Sequence, residues 1–145
     1  MTQTRKQIRK YRVKKFREQV ESEWSNRFKK FIEDTQDKPW CWYRLSWNTN
    51  ITFEYVLAYP EKPWNWKRLS SNPNITFEHV FVYPDKPWDW NWLSGNPNIT
   101  FENVLTHPDI PWHWKRLSRH HNIILDIVLA HPEKSWDWGY LSINL

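Results

Sequence analysis

Apolar and polar positions along residues 39–145 recur with a period of 24. Pro39, Pro63, Pro87 and Pro111 open the series, with Ser135 in the fifth place. Trp40, Trp64, Trp88, Trp112 and Trp136 follow the same step, as do Trp42, Trp66, Trp90, Trp114 and Trp138. Leu45, Ser46, Asn50, Ile51, Val56 and Pro60 each head a further column in the same register, without a gap. Self-similarity at a fixed period of this length marks a repeat architecture. The units are 39–62, 63–86, 87–110 and 111–134, with a half unit at 135–145.

The pattern inside a unit predicts two short helices of about eight residues each. The first follows [DE]-K-P-W-x-W-x-x-L-S, with the acid before its start and Pro tolerated in its first turn. Asn-Pro-Asn then breaks the chain, as turn chemistry demands. The second follows I-T-F-E-x-V-L. Thr52, Thr76 and Thr100 are expected as N-caps, and Glu54, Glu78 and Glu102 lie in the first turn, where the helix dipole favours them. Phe53, Val56 and Leu57 recur at i, i+3, i+4 and are expected to face the core. Position 55 changes from unit to unit (Tyr55, His79, Asn103, Ile127) and reads as outward. A strand over "ITFEYVLAY" would fix alternate positions instead, so the helix is preferred.

Helices this short are not stable alone, and two of them cannot close a core. Stacking of units does. The fold class expected is therefore all-α, a short α-solenoid of two-helix 24-residue repeats. The paired tryptophans fit that expectation. Residues two apart lie about 200° around a helix, so a helix with a unit on each side buries both rings. The alternative is a stacking platform for bases or peptide side chains.

Residues 1–36 stand outside the repeat. Val13, Phe16, Val20, Trp24, Phe28, Phe31 and Ile32 recur at three- and four-residue steps, which predicts an amphipathic helix of about 25 residues or a pair of helices. Its expected task is to cap the first unit. The half unit at 135–145 reads as a C-terminal cap or a docking end.

Composition sharpens this picture. The chain has 145 residues, with 13 Trp, 7 Phe and 6 Tyr against 2 Gly, so rings carry the apolar content. The net charge of +5 is uneven: residues 1–36 hold 11 Lys and Arg against 5 Asp and Glu. That excess points to an anionic partner for the N-terminal segment, through Lys14, Lys15, Arg17, Lys29 and Lys30. A single cysteine, Cys41, excludes a disulfide within the chain, and no apolar signal segment opens it, so an intracellular setting is expected, not secretion. No membrane partner is expected, for want of an apolar run of about 18 residues. An interfacial basic helix is the membrane alternative.

A second candidate surface lies on the first helix of each unit. Arg44, Arg68, Trp92 and Arg116 share one column, and Lys67 and Lys115 share its neighbour. They make a ridge for a protein or an anion, or else a solvated face whose Arg stems cover rings. Trp47 and Trp92 depart from the period and are the rings best placed for recognition.

Other chemistry finds no support. Asn50-Ile-Thr, Asn74-Ile-Thr and Asn98-Ile-Thr match a glycosylation acceptor, but turn and cap explain both residues. His107, His113, His120, His121 and His131 crowd the later units without the convergence a metal needs. No phosphate loop or nucleophile motif is present, and Glu54, Glu78, Glu102 and Asp126 read as helix-start acids. No catalytic residue, cofactor or metal is expected.

The unit "PWDWNWLSGNPNITFENVL" resembles Trp-rich short repeats of the form P-W-x-W-x-x-L-S-x-N-P-N-I-T, found in multiple copies in proteins of large amoeba-infecting DNA viruses. The resemblance covers residues 37–142. It departs in unit one, where Asn48-Thr49-Asn50 lacks the proline, and in unit four, where Arg119-His120-His121 replaces the turn residues. It implies a viral origin, placing the chain in host cytoplasm or virion, and carries over no activity or binding residue. The function expected is a non-enzymatic scaffold for protein interaction or structure. The alternative is a nucleic-acid-associated protein using the basic segment and the ridge.

Overall fold

The computed structural model describes residues 2–145, with side chains from Lys6 onward. Every regular element among them is helical. One unit holds the long helix α1 (Thr2–Asp34) and extends to Trp40; the second comprises Cys41–Leu145.

In the second unit, helices alternate at regular spacing. The first of each repeat are α2 (Trp42–Leu45), α4 (Trp66–Ser70), α6 (Trp90–Leu93), α8 (Trp114–Leu117) and α10 (Trp138–Asn144). The second are α3 (Phe53–Ala58), α5 (Phe77–Val82), α7 (Phe101–Thr106) and α9 (Leu125–Ala130). At four to seven residues they are shorter than the pattern predicted, far below the length at which a helix holds itself together in water.

The starts of the first helices correct the sequence reading. Pro and the first Trp precede the helix. The N-cap is the residue between the two tryptophans: Asn65, Asp89, His113 and Asp137 accept, through their side chains, the N–H three residues on. The acid before Pro is not the cap. The two rings therefore do not sit on opposite sides of one helix; the first projects from an extended segment and the second from the helix.

Burial nevertheless follows from stacking for the first column. Trp64, Trp88, Trp112 and Trp136 are buried. Each donates its indole N–H to the carbonyl five residues earlier (Tyr59, Tyr83, His107, His131) at 2.8–2.9 Å. Each also meets, edge to face, the second tryptophan of the preceding unit: Trp42–Trp64, Trp66–Trp88, Trp90–Trp112 and Trp114–Trp136, at 5.0–5.8 Å. Such pairs contribute about 0.5–1.5 kcal/mol beyond their buried area. The second tryptophans are half-buried as far as Trp114, whereas Trp138 is 66% exposed. Lys62, Lys86 and Lys134 reach back over Trp42, Trp66 and Trp114.

Leu45, Ile51 and Val56, with their equivalents, complete the core. Two polar columns lock one unit to the next. Ser46, Ser70, Ser94 and Ser118 are fully buried. Each hydroxyl donates to the carbonyl of its own helix's first residue at 2.7–2.8 Å and accepts the N-cap amide of the following unit at 2.8–2.9 Å. Asn72 and Asn96 reach back in the same way: Asn96 Nδ2 donates to the carbonyls of Ser70 and Asn72, and its Oδ1 accepts the Asn98 N–H. Asn74 and Asn98 donate to two further backbone carbonyls of the preceding unit. The turn reading of Asn-Pro-Asn holds, and the same asparagines also staple neighbouring units. No buried side-chain nitrogen or oxygen among the described residues lacks a partner.

Thr52, Thr76 and Thr100 cap the second helices as expected, accepting the N–H three residues on. Two other expectations reverse. Position 55 is inward: Tyr55 is buried, and His79, Asn103 and Ile127 are half-buried. His79 lies 4.8 Å from Phe53 of the preceding unit, and His79 and Asn103 close capping boxes on Thr76 and Thr100. Position 57 is outward: Leu57 is half-buried, but Phe81, Leu105 and Leu129 are exposed.

Unit four offers a test. Ile124 stands at the cap position of α9 with no side-chain bond, and it is exposed. Ile124→Thr is expected to stabilise the chain by about 1 kcal/mol, and Thr100→Ala to destabilise it by about the same amount. Urea midpoints of the two variants check this pair.

Candidate interaction surface

The candidate ridge forms on the first helices, where the 24-residue step places equivalent residues of adjacent units side by side. Its members stack cation on ring. The Arg68 guanidinium lies over Tyr43 at 4.4 Å, Trp47 at 5.3 Å and Trp92 at 5.4 Å, and it donates to the Tyr43 hydroxyl. Lys67 lies 5.6 Å from the Trp92 ring and Arg116 4.3 Å from it. Arg116 Nε donates to Asn91 Oδ1. Lys115 and Arg119 lie over Tyr140 at 5.4 and 4.8 Å. Of the sequence candidates, Arg68, Lys67, Trp92, Arg116 and Trp47 thus join one ladder. Lys115 belongs to its Tyr140 end, and Arg44 is exposed and joins none of these ring contacts.

This arrangement changes the standing of the two irregular tryptophans. Trp92 is half-buried and carries three cations, because arginine occupies its column one unit before and one unit after. It is no bare platform. Trp47 remains 57% exposed. Tyr43, Asn91, Gly95, Arg119 and Tyr140 were not singled out in the sequence. Their signal is the alternation of rings and cations at positions 43–44 and 47 of successive units, visible only once residues one period apart are paired.

On α1, Lys14, Lys15, Arg17 and Lys30 are exposed and Lys29 is half-buried. Lys14 pairs with Glu18 at 3.8 Å, Lys30 with Asp34 at 3.0 Å, and Lys15 lies over Tyr11. Exposed pairs of this kind contribute little. The predicted stripe lies on one continuous helix. Val13, Phe16, Val20, Trp24 and Phe31 are exposed, and Ile32 is buried.

His120 is a titratable group changed by its surroundings. It occupies the column of Asn72 and Asn96 and is buried. Its Nε2 lies 2.8 Å from the Asn96 carbonyl oxygen, and its Nδ1 accepts the Asn122 N–H at 3.4 Å. The neutral Nε2–H tautomer fills both roles. Burial lowers its pKa below the ordinary histidine value; the Asn96 carbonyl opposes this and the charge of stacked His121 adds to it. The unfolded chain thus binds a proton at higher pH than the folded one. The stability this neutral histidine contributes is complete above the unfolded pKa and is lost as pH falls from there through the folded value. Urea midpoints are expected to fall as pH drops below 6.5, the ordinary histidine value, and His120→Asn is expected to flatten that slope.

Among the described residues, no group of three His, Cys, Asp or Glu is placed to hold a metal ion, and no helix is long and apolar enough to cross a membrane. No family model matches the chain, and neither a curated protein nor a solved structure matches it.

Proposed function

We propose that the chain is a short α-solenoid of viral origin that acts as a non-enzymatic scaffold, binding an acidic protein partner along the ridge of its first helices. The observation that carries this reading is the ladder of Tyr43, Arg68, Trp92 and Arg116. Rings hold the guanidinium planes in place, which lowers the entropy lost when their N–H edges meet carboxylates. The core beneath takes its order from buried columns that need no ligand, so the outer positions are free to vary. The Trp-rich repeat motif supports the viral origin.

A charge reversal tests the ridge. Partners captured by the full chain are expected to be lost from Arg68→Glu/Arg116→Glu and kept by Lys14→Gln/Lys15→Gln/Arg17→Gln. The opposite pattern overturns the reading. It would favour a second one, for which α1 supplies an observation: basic residues interleaved with exposed Phe16 and Trp24, a combination suited to nucleic acid. Binding of that kind falls steeply with salt; protein binding through the ridge is expected to survive moderate salt.

A further inference from the structure

At the first and fourth junctions between units, position 47 of one unit packs against the column-44 side chain of the next. Trp47 lies over Arg68, and Arg119 over Tyr140. At the second junction the equivalent residue is Ser71, whose hydroxyl donates to the Arg68 carbonyl, and at the third it is Gly95, with no side chain at all. A Cβ there would lie 3.5 Å from Arg116 Nη1 and 3.6 Å from its Cδ. That is ordinary contact, so the glycine is not required by its backbone. What its lack of a side chain leaves is a cavity of about 260 Å³ lined by Gly95, Arg116, Arg119 and His120.

The chemistry of this cavity is one-sided. Two guanidinium groups border it. Arg116 is fixed by Trp92 and by Asn91 at its Nε, leaving its Nη donors. Arg119 is fixed by Tyr140. No carboxylate among the described residues pairs with either. The His120 ring is a wall and not a donor, since both its nitrogens are engaged. Two guanidinium groups without a counter-ion carry two positive charges, which a phosphate dianion balances and a single carboxylate does not, and each fork can meet phosphate oxygens with paired donors.

We propose that this cavity binds a phosphate dianion, free or as the terminal group of a small monoester. The inference rests on Gly95 and the unpaired arginines, and does not depend on the protein-partner reading.

The test is a chemical-shift titration of the full chain, following the Trp92 indole N–H and the Arg116 Nε–H. Inorganic phosphate and phenyl phosphate are compared with chloride at matched ionic strength. A saturable shift with phosphate and none with chloride is expected. Weaker binding of phenyl phosphate than of inorganic phosphate assigns the cavity to the free ion, and equal or tighter binding to a monoester. Gly95→Trp copies the cover seen at Trp47 and removes no charge; it is expected to weaken binding roughly tenfold or more. Arg119→Gln, at an exposed position, is expected to do the same and serves if the larger substitution disturbs folding. Lys14→Gln/Lys15→Gln/Arg17→Gln is expected to leave binding unchanged. Unaltered affinity in Gly95→Trp or Arg119→Gln, loss in the α1 variant, or shifts that track ionic strength alone would overturn the proposal.

Discussion

Trp88→Ala is expected to destabilise the chain by about 3–5 kcal/mol, the range for deleting a large buried ring. Trp88 is buried, lies 5.0 Å from Trp66 and 5.6 Å from Phe53, and donates its indole N–H to the Tyr83 carbonyl at 2.9 Å. The substitution removes all three contacts and leaves the Tyr83 carbonyl with only the Lys86 N–H, at 3.3 Å. Its position adds a second effect. In a stack each unit leans only on its neighbours, so a gap between the second and third units uncouples the two halves of the array. Urea unfolding is expected to broaden or split into two steps. Trp138→Ala supplies the contrast. The same residue type in the second tryptophan column of the half unit, 66% exposed, is expected to shift stability by no more than about 0.5 kcal/mol. Equal losses for the two would contradict the packing account.

Asn96→Ala is expected to cost about 3–5 kcal/mol, although the residue is polar and sits in a turn. The side chain is fully buried and makes three hydrogen bonds to backbone: Ser70 O at 2.9 Å, Asn72 O at 3.0 Å and Asn98 N at 2.9 Å. Each group left unpaired in a buried place costs about 1–3 kcal/mol, with the total reduced where water enters. Asn96→His is expected to cost much less. The chain itself performs that replacement at His120, where the ring keeps the bond to the preceding unit's turn and the bond from its own turn. The difference between the two variants, read from thermal or urea midpoints, separates a staple between units from a mere turn residue. A turn residue would lose little in either.

The particulars that were legible in the sequence are those fixed by local chemistry or by the period itself. Thr52, Thr76 and Thr100 cap helices because a hydroxyl at that place answers an orphan N–H, wherever the helix packs. Leu45, Ile51 and Val56 are core because each is apolar in every unit. The reversals at positions 55 and 57 have a physical cause. A six-residue helix is less than two turns, too short for an i, i+3, i+4 stripe to reveal which side the neighbouring unit occupies. Tyr55 and His79 vary yet face inward, because each meets a different ring.

The asparagine column was read as local, and the serine column was given no role, for a related reason. Their decisive partners lie 19 to 26 residues away. Helical periodicity does not report contacts at that distance. Only the 24-residue register does, and it identifies candidates without saying what they touch. The ridge was half legible: its cations except Arg119 were identified, with Trp47 and Trp92, but two of the rings that hold them, Tyr43 and Tyr140, sit in columns that look irregular until adjacent units are paired. Gly95 gave no signal beyond being one of two glycines.

The central claim is that the first tryptophan of each unit after the first is a buried, hydrogen-bonded element of the stack. Hydrogen exchange of the indole N–H groups tests it most directly, since all 13 tryptophans report in one spectrum. The account predicts slow exchange for Trp64, Trp88, Trp112 and Trp136, whose N–H groups meet backbone carbonyls, and fast exchange for exposed Trp24, Trp47 and Trp138. Uniformly fast exchange, or protection of Trp138 equal to that of Trp88, would contradict it.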